Sequence, residues 1–316
     1  MASIKGQDRA LQFLSQALQS GRLPSALLFT GPSGVGKKMS AFFIAQKLLC
    51  EKNQTGCGVC GSCVRVLQKQ HEGLLYVDPE ETTIKLEHIQ PVHDFFKLRR
   101  LNQARIVIID QAHRMNPFAA NALLKVLEEP PEKTHFFLIT SQENVLPITI
   151  RSRCQKVRFV PLAEKYLQEI QTAPTWALSA AQGRLDLLAQ MTEPSRAELR
   201  NNATQVLQAL VFGSRLTAFS SFKAITESKE DLLFALQLWK QLLRDAWIQH
   251  LNSPSFIHMD KKEFIVELTE LSTEELDLFY QRFEQMEQSI LQNADKMVNL
   301  ENLWMEFHPS SQAASL

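Results

Sequence analysis

The sequence has no surplus of charge of either sign: Lys+Arg and Asp+Glu each total 34. That removes any global electrostatic argument for nucleic acid and leaves only local basic surface. The densest basic cluster, Lys97, Arg99, Arg100 and Arg105, reads as a solvated helix end. No uninterrupted apolar run is long enough to cross a membrane, and "MASIKGQDRA" lacks a signal-peptide pattern. The expected location is therefore cytoplasmic, where structural disulfides are disfavoured. Internal repeats are absent. What is present is 45% apolar residues in a chain of 316, enough for the globular cores of two or three domains.

Two further absences lie inside a motif. "GPSGVGKK" (31–38) follows an apolar run, "ALLFT" (26–30), and opens a helical pattern at 37–49. That context fits a phosphate-binding loop, G-x-x-x-x-G-K-[ST], in which backbone N–H groups and a helix N-terminus cradle an anion. Gly31, Gly36 and Lys37 are in place, with Gly34 inside the loop. The Ser or Thr that would hold Mg²⁺ is missing, and Lys38 stands there. Ser40 lies about 200° further round the helix and is expected to point away. The second half of such a site is an acid at a strand end, here Asp110 in "RIVIIDQAHRM". A Glu placed next would activate the attacking water; Gln111 can orient a water but cannot accept its proton.

Cysteine is scarce and clustered: Cys50, Cys57, Cys60 and Cys63 account for four of the five. Two C-x₂-C steps share Cys60, and four thiolates that converge suit tetrahedral, structural Zn²⁺ better than disulfides or an iron–sulfur cluster. In "TIRSRC" (149–154), Arg151 and Arg153 flank a serine on an expected exposed loop.

Hydropathy supplies the frame. Strands are expected at 26–30, 73–79, 105–110, 135–141 and 154–162. Helices are expected at 8–21, 37–49, 85–98 (with Pro91 inside it) and 117–129. This alternation predicts an α/β domain with a mostly parallel five-stranded sheet covered on both faces. Residues 163–192 hold short helical patterns, and from Glu193 to Phe307 the pattern stays helical. Leu232, Leu236, Trp239, Leu243 and Trp247 form one stripe assigned to core packing, and Ser272 with Glu275 forms a capping box. The tail "PSSQAASL" is expected to fray.

Together, "GQDRALQFL", "LLFTGPSGVGKK", the four cysteines, "AANALLKVLEEPP" and "LPITIRSRC" resemble the clamp-loader branch of the AAA+ ATPases, the branch found in bacterial DNA polymerase III. The resemblance implies a P-loop domain at 1–162 with a zinc module at 50–63, a helical lid at 163–200 and a helical collar at 201–316. It implies that Arg153, in Ser152-Arg153-Cys154, acts as an arginine finger on a neighbour's ATP. It also implies that Thr140 is a sensor and that Arg184 is a candidate lid arginine. ADP or ATP is the implied ligand of Gly31, Gly34, Gly36, Lys37, Lys38, Asp110 and Thr140. The implied partners are other clamp-loader subunits (a tau/gamma-like ATPase and a delta-like wrench), with the sliding clamp and primed DNA reached through the complex. The two departures, Lys38 and Gln111, point to a stator that does not hydrolyse ATP itself. A hydrolysing subunit, a DNA-binding zinc module and a stand-alone repair ATPase are the alternatives.

Overall fold

The computed structural model describes residues 4–52, 56–78, 83–97, 104–251, 253 and 256–307. In chain order the elements begin α1 (Asp8–Gln19), β1 (Ala26–Thr30), α2 (Lys37–Leu49), α3 (Gly61–Leu67), β2 (Leu74–Val77), α4 (Leu86–Lys97) and β3 (Arg105–Ile109). They continue with α5 (Pro117–Glu128), β4 (Thr134–Thr140), α6 (Ile148–Arg151) and β5 (Gln155–Arg158). The remaining helices are α7 (Glu164–Ile170), α8 (Thr175–Ala180), α9 (Leu185–Met191), α10 (Pro194–Phe212), α11 (Arg215–Ser221), α12 (Lys229–His250), α13 (Lys262–Leu268), α14 (Thr273–Leu291) and α15 (Lys296–Phe307). No helix among the described residues is long and apolar enough to cross a membrane.

The chain divides into two compact units, residues 1–170 with 183–186, and residues 171–182 with 187–316. The first carries a five-stranded sheet in the order β2-β3-β4-β1-β5, with every pairing parallel. β1 and β3 are buried along their whole length, which is why they read as unbroken apolar runs. Alternate residues feed opposite faces. Leu28, Val107, Ile109, Phe136 and Leu138 pack under α4, α5 and α6. Leu27, Phe29, Ile106, Ile108, Phe137 and Ile139 pack under α1, α2 and α3. Each such Leu, Ile or Phe stabilises the sheet by about 1.5–3 kcal/mol relative to an exposed one. α5 starts as its sequence predicts: the Asn116 side chain accepts from Ala119 N, and Pro117 is its first residue. α4 runs through Pro91.

The second unit is helical. Its core gathers Trp239, Phe222, Phe283, Leu236 and Leu207. Trp239 is fully buried, its indole N–H donating to Ala203 O at 2.7 Å, and it sits 5.2 Å from the Phe283 ring. The expected stripe on α12 holds through Leu243 and then fails, because Trp247 is 52% exposed. The capping box at Ser272 and Glu275 forms in full. A buried polar knot also lies here. Arg200 donates to both carboxylate oxygens of Asp260 and to His258 Nδ1, and Asp245 accepts the backbone N–H groups of Ile257 and His258. The tail "PSSQAASL" lies outside the described residues.

Two sequence expectations change. Arg105 is buried at the start of β3, donating to Phe96 O at 3.2 Å, so it belongs to no solvated helix end. Arg99 and Arg100 lie outside the described residues. The stretch between Cys50 and β2, to which the sequence pattern assigns no helix or strand, contains a helix, α3, which is too short and too mixed in character to show a hydrophobic period.

Candidate functional site

Ligands of open parallel sheets bind beyond the carboxyl ends of the strands, and the candidate residues collect there. β4 is inserted between β1 and β3, with Thr30 level with Thr140 and Ile109 level with Leu138. The loop after β1, Asp110 after β3 and Thr140 at the end of β4 therefore share one edge. They line a cleft of about 430 Å³ together with Ser33, Lys37, Lys38, Gln111 and His113.

The loop geometry demands glycine. Gly34 has φ +68, and a Cβ there would lie 2.1 Å from Asp186 Oδ1, because residues 183–186 pack directly on the loop. Gly31 has φ +137, and a Cβ would meet Phe159 O at 2.3 Å. Leu185 N donates to Gly34 O at 3.1 Å. Arg184 pairs with Asp186 through Nε and Nη2, at 3.2 and 2.8 Å.

Lys37 is 6% exposed, and its ammonium donates to Gly31 O at 2.6 Å and to Pro32 O. Burial pushes its pKa down to about 8, with Asp110 and Asp186 opposing. Lys38 Nζ lies 3.0 Å from Asp110 Oδ2. The Tyr76 hydroxyl donates to the same oxygen at 3.0 Å, and Gln111 N donates to Oδ1 at 2.9 Å. Ser40 turns from the cleft as expected, its hydroxyl donating to Gly36 O. The Thr140 hydroxyl is occupied, accepting from Gln142 N at 3.0 Å and lying 3.2 Å from His113 Nδ1. Burial, then Arg114 and Lys37, lowers the His113 pKa. His113 was not singled out in the sequence; its signal was only its place three residues past the strand acid.

Magnesium does not fit this donor set. Both Asp110 oxygens are engaged, and an ammonium stands where the metal's hydroxyl ligand is needed. A divalent ion about 4 Å from that ammonium would meet a repulsion of about 8 kcal/mol at an effective dielectric of about 20.

Arg153 is not among the residues lining the cleft. It follows α6 on an exposed turn, where Nη1 donates to Thr149 O at 2.8 Å and Nη2 pairs with Glu128. Neighbouring Cys154 is buried, which pushes its thiol up to about 12 and leaves it unreactive.

The four cysteines do converge, with all four sulfurs within 4.8 Å of one another. A tetrahedral metal with bonds of about 2.3 Å places its sulfurs a little under 4 Å apart. Cys50 and Cys60 are already 4.0 Å apart. Backbone N–H groups of Lys52, Cys60 and Cys63 point at the sulfurs of Cys50, Cys57 and Cys60, at 3.3–3.4 Å, which favours thiolates. Residues unseen in the sequence brace the group. His71 Nδ1 accepts from Gly73 N, its Nε2 is 2.6 Å from Ser62 Oγ, and Ser62 donates to Leu49 O at the end of α2. This donor set fits a structural metal such as zinc.

A P-loop edge on a β2-β3-β4-β1-β5 sheet, followed by helices, is the architecture of an AAA+ protein. The family model described as "DNA polymerase III, delta subunit" matches residues 6–163, half of the chain. The chain belongs to this family, a clamp-loader branch of the AAA+ proteins. It is 33% identical to DNA polymerase III subunit delta′ of Bacillus subtilis over 220 residues, 69% of this chain and 62% of that one. It is 32% identical to DNA polymerase III subunit tau of Escherichia coli over 242 residues, 73% of this chain and 36% of that one. The chain thus spans less than two thirds of the length of these relatives. A DNA polymerase III gamma subunit-related protein from Thermotoga maritima shares the fold at a TM-score of 0.50 and 16% identity, covering 94% of this chain and 98% of that one.

Proposed function

We propose that the chain is a delta-prime-like stator of a DNA polymerase III clamp loader. It does not hydrolyse ATP itself. It completes a neighbouring subunit's ATP site with Arg153, as the complex opens a sliding clamp and closes it round primed DNA. The observation that carries this reading is a division of labour. The cleft at the sheet edge has Lys38 where the metal-binding hydroxyl would stand and Gln111 where the glutamate base would stand, whereas the finger arginine is intact, exposed and outside that cleft. An arginine supplied in trans stabilises charge developing on the transferred phosphoryl group. Residues 31–37 remain a nucleotide cradle. Cys50, Cys57, Cys60 and Cys63 hold one structural Zn²⁺. Residues 163–200 serve as the lid and 201–316 as the collar through which subunits pack.

The test is Arg153→Ala in a complex reconstituted with tau/gamma-like and delta-like subunits, clamp and primed DNA. DNA-stimulated ATPase and clamp loading fall, by up to about 10³–10⁵ at the site the finger serves. Unchanged rates would refute the finger. Magnesium-dependent turnover by the isolated chain, abolished by Lys37→Ala, would replace the stator with a hydrolysing subunit.

A further inference from the structure

We propose that the cation position beside the phosphate loop is filled by the chain's own Lys38 ammonium. The cleft then takes a nucleoside di- or triphosphate free of divalent metal. The inference rests on the reading of residues 31–37 as a nucleotide cradle and goes beyond it by naming the ligand's metal state.

In a metal-dependent loop, the residue after the invariant lysine presents a hydroxyl to a cation, and the strand-end acid holds that cation or its water. Here the same two positions bind each other. Lys38 leaves the first turn of α2 and reaches Asp110 Oδ2 at 3.0 Å. Its location is set from several sides: Asp78 Oδ2 lies 3.9 Å away and the Tyr76 ring centroid 5.0 Å away. Tyr76 is itself held, because its hydroxyl donates to Asp110 and Lys69 sits 3.9 Å over its ring. Lys69 also pairs with Asp78 at 3.4 Å. The Lys38 side chain is 45% exposed, so one side of the ammonium meets Asp110 while the other opens to the cleft. An ammonium has three donors, enough to hold the carboxylate and still reach a phosphate oxygen. The loop amides, Lys37 and Lys38 then surround an anion as amides, lysine and metal do elsewhere, with one unit of positive charge in place of two.

Two consequences follow. Magnesium gives no gain in nucleotide affinity, because its position is taken and like-charged. It also draws free ATP into a complex that the cleft does not accept. The test is the binding of fluorescently labelled ADP and ATP to the full chain, by anisotropy, in EDTA and in millimolar magnesium. Affinity for the wild-type chain is expected to be equal or tighter in EDTA. Lys38→Thr, which restores a metal-binding hydroxyl and frees Asp110, reverses the order, binding about tenfold tighter with magnesium. Lys38→Met, which keeps the stem but removes the charge, weakens binding in EDTA by about tenfold, the size of one charge-assisted contact, and magnesium does not rescue it. If Lys38→Thr fails to fold, the wild type and Lys38→Met decide the matter. Wild-type binding that strengthens with magnesium overturns the built-in cation and leaves the nucleotide cradle standing. No saturable binding in either condition overturns both, and leaves the role of Arg153 to its own test in the complex.

Discussion

Among the cation–carboxylate pairs of the first unit, those of Lys38 and Arg153 differ in the burial of the carboxylate. Lys38 meets Asp110, whose side chain is 11% exposed and also accepts from Tyr76 and from Gln111 N. Arg153 meets Glu128, whose side chain is 48% exposed. An exposed pair is worth about 0–1 kcal/mol and is easily exchanged for another anion. Asp110 has several donors pointed at it, and losing it would leave them without an acceptor. The same kind of contact therefore differs in consequence: it ties Lys38 to a carboxylate that several donors hold in place, and leaves Arg153 on a carboxylate that another anion can replace, as the proposed finger role requires.

The largest test of this contrast is Arg153→Ala in the reconstituted complex, where ATPase at the served site falls by about 10³ or more. If the loss were equally large for Glu128→Gln, the pair rather than the free guanidinium would be the functional unit. Next, Asp110→Ala lowers stability by about 1–3 kcal/mol in denaturant titration, because Tyr76 and Gln111 N lose a shared acceptor. A pH titration sharpens the cleft side. The folded pKa of Lys37 is about 8 against 10.5 ordinarily, so the unfolded chain binds more protons between those values. Across that window stability rises with pH, while affinity for labelled ADP falls by about tenfold as the Lys37 charge is lost. ADP affinity that stays flat from pH 7 to about 9 would show that Lys37 does not touch phosphate. The smallest effect is Glu128→Gln alone, which changes stability by less than about 1 kcal/mol.

The helical unit offers a second contrast, on one helix. Trp239 and Trp247 continue the same spacing, yet one is wholly buried and the other half exposed. Periodicity shows which residues share a face, but not how far along the helix its neighbours extend. Trp239→Ala should cost about 3–5 kcal/mol by cavity formation.

Much of the site was legible because its chemistry is local. Gly31, Gly36 and Lys37 form a short motif between a strand and a helix, and the cysteine spacing alone brings four sulfurs within reach of one ion. His113 was not legible, since a lone histidine after a strand carries no pattern. Nor were the Ser62–His71 brace or the burial of Arg105, each of which depends on elements from elsewhere in the chain.

The sequence by itself determined where the strands and the longer helices of the first unit fall, because apolar period and turn chemistry act over a few residues. It also determined that the loop lacks its hydroxyl and the strand acid lacks a following carboxylate. Only the tertiary structure decided what replaced them. Parallel strands are joined by crossovers, so their order is set by how helices pack on both faces, and that order brings the end of β3 to the loop after β1. Once there, the ammonium of Lys38 and the largely buried carboxylate of Asp110 are oppositely charged and within reach, and they pair.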